Sequence, residues 1–149
     1  VAKKNPNSWF RTIDRVYPAL VTTKKLLIPD IAGSNEVVFE EGHYHPHHNL
    51  YFVTSETWDM EVLGGLLSSK VALFFVWSSA VKMRGGYLGF QAQYLRRIRL
   101  PDPKALPANH AQAIRTVFQA RDFARLDELA LLAYGLDALP TFDFVDTRR

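Results

Sequence analysis

The stretch from Trp58 to Val81 constrains the fold more than any other part of the sequence, because it is long and mostly apolar. Its large apolar residues recur at helical spacing, and the residues from Val71 to Trp77 are apolar on every side, as in a helix that is buried all round. Thr57 is predicted to cap this helix, since its hydroxyl can accept from free backbone N–H groups of the first turn. The apolar run is shorter than the roughly 18 residues that a membrane span requires. We therefore predict one long buried helix at the centre of the fold.

Two glycine pairs mark special positions in and after this helix. Gly64 and Gly65 each cost on the order of 1 kcal/mol of helix propensity relative to alanine. We predict that another backbone packs closely against them. Gly85 and Gly86 supply the freedom for a sharp turn once the helix has ended.

Before the central helix, short apolar runs predict a small sheet. The sequence predicts a helix from Ser8 to about Leu20 and strands at Leu26–Ile28, Glu36–Glu40 and Leu50–Val53. Pro18 is expected to end or kink the helix. Pro29 is expected to close the first strand or restrict it to a sheet edge.

After the central helix, a proline-rich linker leads into a predicted helical hairpin. Its first helix spans Asn109–Ala120, and Asp122 caps a second helix that Gly135 stops. The predicted fold class is α+β, a small mixed or antiparallel sheet around the long buried helix, with a C-terminal helical hairpin. We divide the chain into an α+β domain over 1–105, the hairpin packed on it over 106–136, and an apolar tail over 137–149.

Composition limits the class of protein. The chain has 149 residues, 48% of them hydrophobic, which is enough for one domain with its own core and excludes a disordered chain. It has no cysteine, so disulfides and thiolate metal sites are excluded. A net charge of +3 is compatible with a polyanionic partner. Without a signal peptide or membrane span we expect a cytoplasmic protein, and the start without Met suggests a fragment of a longer one.

Catalytic motifs are absent from the sequence. No glycine-rich nucleotide loop follows a strand, and there is no P-loop, nucleophile elbow or paired catalytic carboxylate. The Asn-Pro-Pro-aromatic tetrad of amino-methyltransferases is missing too. We predict no catalytic residue and no enzymatic activity for this chain alone.

A basic and aromatic segment from Lys82 to Arg99 is the main candidate for function. Lysine and arginine neutralise phosphates, while arginine and glutamine form paired hydrogen bonds to guanine and adenine. The predicted phosphate contacts are Lys82, Arg96 and Arg97, and the predicted base contacts are Arg84, Gln91 and Gln93. Further DNA-binding candidates are Tyr87, Lys24, Lys25, His45 and His47. The alternative is an ordinary solvated face, in which Arg84 pairs with a carboxylate and fixes the turn.

A histidine cluster is a candidate metal-binding site. His43, His45 and His47 alternate along the chain, and alternate residues of an extended chain project to one side, as the ligands of a zinc ion do. Pro46 and the turn-like setting argue against a preformed site. We predict no metal and a polar loop near DNA or solvent.

Several of these stretches together resemble a known family. They are Trp9–Pro18, Lys25–Ile31, His47–Thr54, Leu63–Ser69, Met83–Tyr87, Leu95–Pro101 and Tyr134–Leu136. In this order they resemble the TaqI-like C-terminal specificity domain of adenine-specific DNA methyltransferases of restriction-modification systems. The resemblance covers about residues 8 to 136.

The resemblance implies a target-recognition domain that binds double-stranded DNA and chooses the sequence. It also implies an N-terminal catalytic domain on the same polypeptide, outside this chain, that binds S-adenosylmethionine and the flipped adenine. A fusion to a type II restriction endonuclease stays open. The alternatives are a structural docking module of the same enzyme and a histidine metal site.

Overall fold

The computed structural model describes residues 17–143 as a small sheet, a two-stranded ribbon and six helices. In chain order the elements are α1 (Ala19–Thr22), β1 (Lys25–Pro29), β2 (Ile31–Ala32), β3 (Val38–Glu40), β4 (Leu50–Val53), α2 (Met60–Ser68), α3 (Lys70–Trp77), β5 (Leu88–Gly89), α4 (Ala92–Leu95), α5 (Ala108–Ala120) and α6 (Phe123–Ala133). The predicted α+β class is confirmed. Most of the helix predicted from Ser8 lies outside the described residues.

The main sheet is antiparallel, and β1 is its central strand between β3 and β4. Leu26 and Ile28 of β1 are buried in the core. Pro29 is the last residue of β1, so it closes the strand and does not place it at an edge. After Pro29, strand β2 pairs with β5. This pairing connects the segment that follows α3 to the chain next to the main sheet.

The central apolar stretch forms two helices, and the single long helix predicted from the sequence is wrong in this respect. The axes of α2 and α3 differ by 59° across Ser69. The Ser69 side chain accepts from Ala72 N–H and donates to the Leu66 carbonyl, so it terminates one helix and caps the next. The Asn35 amide holds the break from outside by donating to the carbonyls of Leu67 and Ser69 at 2.9 and 2.7 Å.

The start of α2 also differs from the prediction. Asp59, not Thr57, is the N-cap, and its carboxylate accepts from the backbone N–H groups of Glu61 and Val62. Thr57 lies two residues earlier, where its N–H donates to the Ser55 hydroxyl. Among the described residues, no single helix is both long and apolar enough to cross a membrane; the bent α2–α3 pair meets that test only as a unit.

Helix α3 is less buried than its sequence predicted. Leu73 and Val76 are buried, but Phe74, Phe75 and Trp77 are only half-buried. The predicted all-round burial is wrong because one side of α3 is only partly covered. That cover includes the tail, whose Phe142 ring lies 5.3 Å from the rings of both Phe74 and Trp77.

Helix α2 separates two hydrophobic cores, one against the sheet and one against the α5–α6 hairpin. A Cβ atom on Gly64 would lie 2.7 Å from the Phe118 ring, and one on Gly65 would lie 2.6 Å from Ile114. The glycine pair therefore allows α5 to pack closely on α2, but the contacts come from side chains and not from the predicted backbone. In the hairpin, Asp122 caps α6 as predicted, and Gly135 follows its end with a φ of +65°.

Candidate nucleic-acid interface

A tight β-turn presents the start of the basic segment. The N–H of Met83 donates to the Tyr87 carbonyl at 2.9 Å, and the N–H of Gly86 donates to the Met83 carbonyl at 3.3 Å. Gly85 and Gly86 have φ angles of +86° and +83°, which residues with a Cβ rarely adopt. The two glycines thus close a turn that leaves Arg84 exposed at its tip.

The rest of the segment is anchored by its apolar residues and exposes its polar ones. Phe90 is 1% exposed and packs in the sheet-side core, against which Leu95 and Ile98 also pack. Arg96, Arg97 and Arg99 are exposed. Gln91 precedes α4 as its N-cap residue, and its side-chain oxygen accepts from the Gln93 amide at 3.0 Å. The two predicted base-reading glutamines therefore form one exposed amide pair.

The cations of this segment differ from those of the hairpin in their ion pairing. Between residues 82 and 101 there are five lysines and arginines and no aspartate or glutamate. In the described part of the chain none of the five pairs with a carboxylate, and Lys82 lies 3.9 Å above the Trp77 ring instead. By contrast, the arginines of α5 and α6 and the loop between them are all paired. The pairs are Arg115 with Asp59, Arg121 with Glu36 and Arg125 with Glu128.

The lack of ion pairs in the basic segment argues against the alternative interpretation of Arg84, in which Arg84 pairs with a carboxylate and fixes the turn. That alternative requires a carboxylate partner, and the described residues supply none. Tyr87 is 49% exposed beside it. The turn is therefore free to approach a polyanion.

Lys25 is a correction to the predicted DNA contacts. Its side chain is 0% exposed and forms an ion pair with Glu40, and its ammonium also donates to the Thr23 carbonyl at 2.9 Å. A lysine that is buried and paired cannot reach a DNA phosphate. Lys24 is exposed. The sequence signal that was missed is the opposite charge of Glu40 at the end of the neighbouring predicted strand.

The Glu40 carboxylate also organises the histidine loop that follows β3. It accepts from the backbone N–H groups of Gly42, His43 and Tyr44 at 3.1, 2.6 and 3.1 Å. Burial alone would raise the pKa of Glu40, but the hydrogen bonds from Lys25 and from these three N–H groups outweigh it and lower the pKa to about 2. The carboxylate thus stays ionised at any pH near neutrality.

The histidines of this loop are exposed and do not converge. The His45 Nδ1 atom lies 2.9 Å from the Pro46 carbonyl, and the rings of His47 and His48 lie 4.0 Å apart. Across residues 17–143, no three histidine, aspartate or glutamate side chains are grouped so that they could hold a metal ion. The zinc alternative has no geometric support in that range.

Asp30 brings the histidine loop and the basic segment to one region. Its N–H donates to the carbonyl of Asn49, the residue after the loop, at 3.0 Å, and its carbonyl accepts from the Phe90 N–H at 2.7 Å. Asn49 and Phe90 are therefore both hydrogen-bonded to the backbone of the same residue. The two surfaces that the sequence marked separately are therefore neighbours.

An open groove of about 330 Å³ lies between β4 and α4. Its lining is mostly apolar, with Arg96 as the one charged residue among Leu50, Tyr51, Phe52, Val53, Ala92 and Leu95. Among the described strands, β4 pairs only with β1, so its other edge carries no strand. The groove is suited to apolar contacts beside a cation.

No protein-family model matches the chain. Three curated relatives match 91–92% of it. It is 52% identical over 137 residues to the Type II methyltransferase M.XhoI of Xanthomonas vasicola, 48% identical over 138 residues to M.BstVI of Geobacillus stearothermophilus, and 47% identical over 135 residues to M.PaeR7I of Pseudomonas aeruginosa. The matched region makes up 24–25% of each relative. The chain is thus similar, over nearly all of its length, to a segment that forms about a quarter of each of these three Type II methyltransferases.

Proposed function

We propose that this chain is the part of an adenine-specific Type II methyltransferase that recognises the DNA sequence of its duplex substrate. The observation that carries the proposal is the group of five exposed cations between residues 82 and 101 that have no carboxylate partner in the described structure. Exposed arginines without internal partners are free to neutralise DNA phosphates. The similarity to segments of Type II methyltransferases supplies the biological setting.

Two kinds of contact are assigned within this segment. Arg96 and Arg97, at the end of α4, and Lys82 hold phosphates and position the protein without reading sequence. Arg84 at the turn and the Gln91–Gln93 pair read base edges, because arginine and amide side chains form paired hydrogen bonds to guanine and adenine. The close backbone turn at Gly85 and Gly86 lets this tip enter a groove.

We assign the methyl-transfer reaction to the part of the polypeptide that lies outside this chain. The glycine-rich turn of this chain follows a helix and closes a hairpin, so it does not form the strand–loop–helix site that holds a nucleotide-like cofactor. We propose that S-adenosylmethionine and the catalytic residues belong to an N-terminal methyltransferase domain of the same polypeptide. The complete enzyme works in the cytoplasm, where its DNA substrate lies.

A docking role is the second candidate, and the apolar groove between β4 and α4 favours it. In that case the groove would contact another part of the enzyme, and binding to DNA would show no base preference. A preference for particular base sequences in DNA binding distinguishes DNA recognition from docking.

Two substitutions test the division between phosphate and base contacts. Arg96→Gln is expected to weaken binding to all duplexes alike and to lower the salt slope by about one. Gln91→Ala is expected to reduce discrimination at one base pair by about 1–3 kcal/mol and to leave the salt slope unchanged. Titrations of cognate and scrambled duplexes at several salt concentrations measure both quantities.

The matched control is Arg125→Gln, which removes an exposed arginine that already pairs with Glu128. It should leave affinity and salt slope at wild-type values. Equal salt slopes for the wild type, Arg96→Gln and Arg125→Gln would contradict the assigned phosphate contact.

A further inference from the structure

We infer that the loop from Glu41 to His48 is a second phosphate-binding site for duplex DNA, that it acts when its histidines are protonated, and that Glu40 is the residue that positions it. The inference rests on the proposed function and adds a pH-dependent part to the DNA grip. Four of the five histidines of the chain lie between residues 43 and 48. All four are exposed, so none is needed for the core.

The first support is the way in which the loop is held. Three consecutive backbone N–H groups, from Gly42 to Tyr44, bind the Glu40 carboxylate, which is itself fixed by the buried Lys25. Gly42 has a φ of +105°, and a Cβ there would lie 2.6 Å from the Thr22 carbonyl oxygen. The first half of the loop is therefore locked to β1 and β3 while its histidine side chains remain exposed.

The second support is the position of the loop. The Asp30 backbone links Asn49, directly after the loop, to Phe90 in the basic segment. Leu50, which follows Asn49, lines the same groove as Arg96, so a duplex bound at Arg96 lies close to the end of the loop. When protonated, the loop histidines add positive charge next to the basic segment.

The third support is the charge of the surroundings. Histidine is the side chain whose charge ordinarily changes between pH 5 and 8. The charged groups next to the loop are Lys25 on β1, Glu40 on β3, Glu41 within the loop, and Lys24, which lines a surface recess with Glu41. Lys25 and Glu40 neutralise each other, and the His43 Nδ1 atom lies 4.0 Å from Glu40. His45 and His47 have no such carboxylate among the described residues, so a DNA phosphate is the natural partner of their protonated rings.

The sign of the pH dependence follows from linkage. A phosphate beside an imidazole favours the protonated form, so the bound state takes up protons. DNA binding is then stronger at acidic pH, where histidine side chains are ordinarily protonated, and this gain is lost at alkaline pH. At pH 8 the contacts of the basic segment alone hold the duplex.

The test compares wild-type chain with His45→Gln/His47→Gln, two exposed substitutions that leave the core untouched. Salt titrations of duplex binding are run at pH 6 and pH 8. For the wild type, the slope should be steeper at pH 6 by about two, because each phosphate contact contributes about 0.9. For the double variant, the slopes at the two pH values should agree, and affinity at pH 8 should equal that of the wild type. Arg97→Gln is the control, because it removes an arginine whose charge does not change between pH 6 and pH 8. It should lower the salt slope equally at both pH values.

Glu40→Gln tests positioning separately from the histidines. It should remove the pH-dependent part of the slope and keep the pH 8 slope of the wild type, which a general loss of structure would not do. Lys25→Met/Glu40→Gln repeats this test without leaving a buried lysine unpaired. A wild-type response to pH in either variant would overturn the role of Glu40. If the salt slope of the wild type does not change between pH 6 and pH 8, the loop site is wrong and the proposed function still stands. If the wild type binds no duplex at either pH, both are wrong.

Discussion

Leu73→Ala is expected to lower the free energy of unfolding by about 3–5 kcal/mol. Leu73 is 0% exposed and belongs to the core on the sheet side of the central helices. Its truncation leaves a cavity that α3 cannot close, because α3 is fixed at its start by the Ser69 cap and by Asn35. Chemical denaturation monitored by tryptophan fluorescence and circular dichroism measures the change.

Phe74→Ala is the matched comparison, since the neighbouring side chain is larger but only half-buried. It packs on Trp77 and on Phe142 of the tail, so its loss should cost less than the loss of Leu73. A cost below about 1 kcal/mol for Leu73→Ala would mean that α3 is peripheral to the fold.

The second large effect is expected on DNA binding. The triple variant Lys82→Gln/Arg96→Gln/Arg97→Gln removes the three assigned phosphate contacts. It should weaken duplex binding by about a hundredfold or more at 0.1 M salt and lower the salt slope by about 0.9 for each contact. Fluorescence anisotropy at several salt concentrations gives both values.

The control for this variant is Lys70→Gln/Arg121→Gln/Arg125→Gln. It removes the same number of positive charges, but from cations that pair with Asp127, Glu36 and Glu128. We expect the control variant to lose much less affinity. An equal loss in the two triple variants would mean that net charge alone governs binding, and it would contradict the assigned surface.

Local sequence signals predicted the elements that depend on local chemistry. Strand β4 was predicted at its observed bounds from an apolar run, and the second helix of the hairpin from Asp122 and Gly135. These signals act over a few residues, so they can be identified without the fold.

Other features depend on residues that are distant in sequence. The break at Ser69 is stabilised by Asn35, 34 residues earlier, and Lys25 is buried because Glu40 lies opposite it across the sheet. The basic segment was evident from its charges, but its proximity to the histidine loop arises from two backbone hydrogen bonds at Asp30. No periodicity in the sequence encodes such contacts.

Selection of duplexes from a random-sequence library is the most direct test of the proposed DNA recognition. The 149-residue chain is incubated with the library at a salt concentration that suppresses contacts to phosphates alone, and the retained duplexes are sequenced over several rounds. We predict enrichment of a single short motif for the wild type and a relaxed position within that motif for Gln91→Ala. Retained duplexes without a common motif, or no retained duplex at low salt, would contradict sequence-specific recognition by this chain.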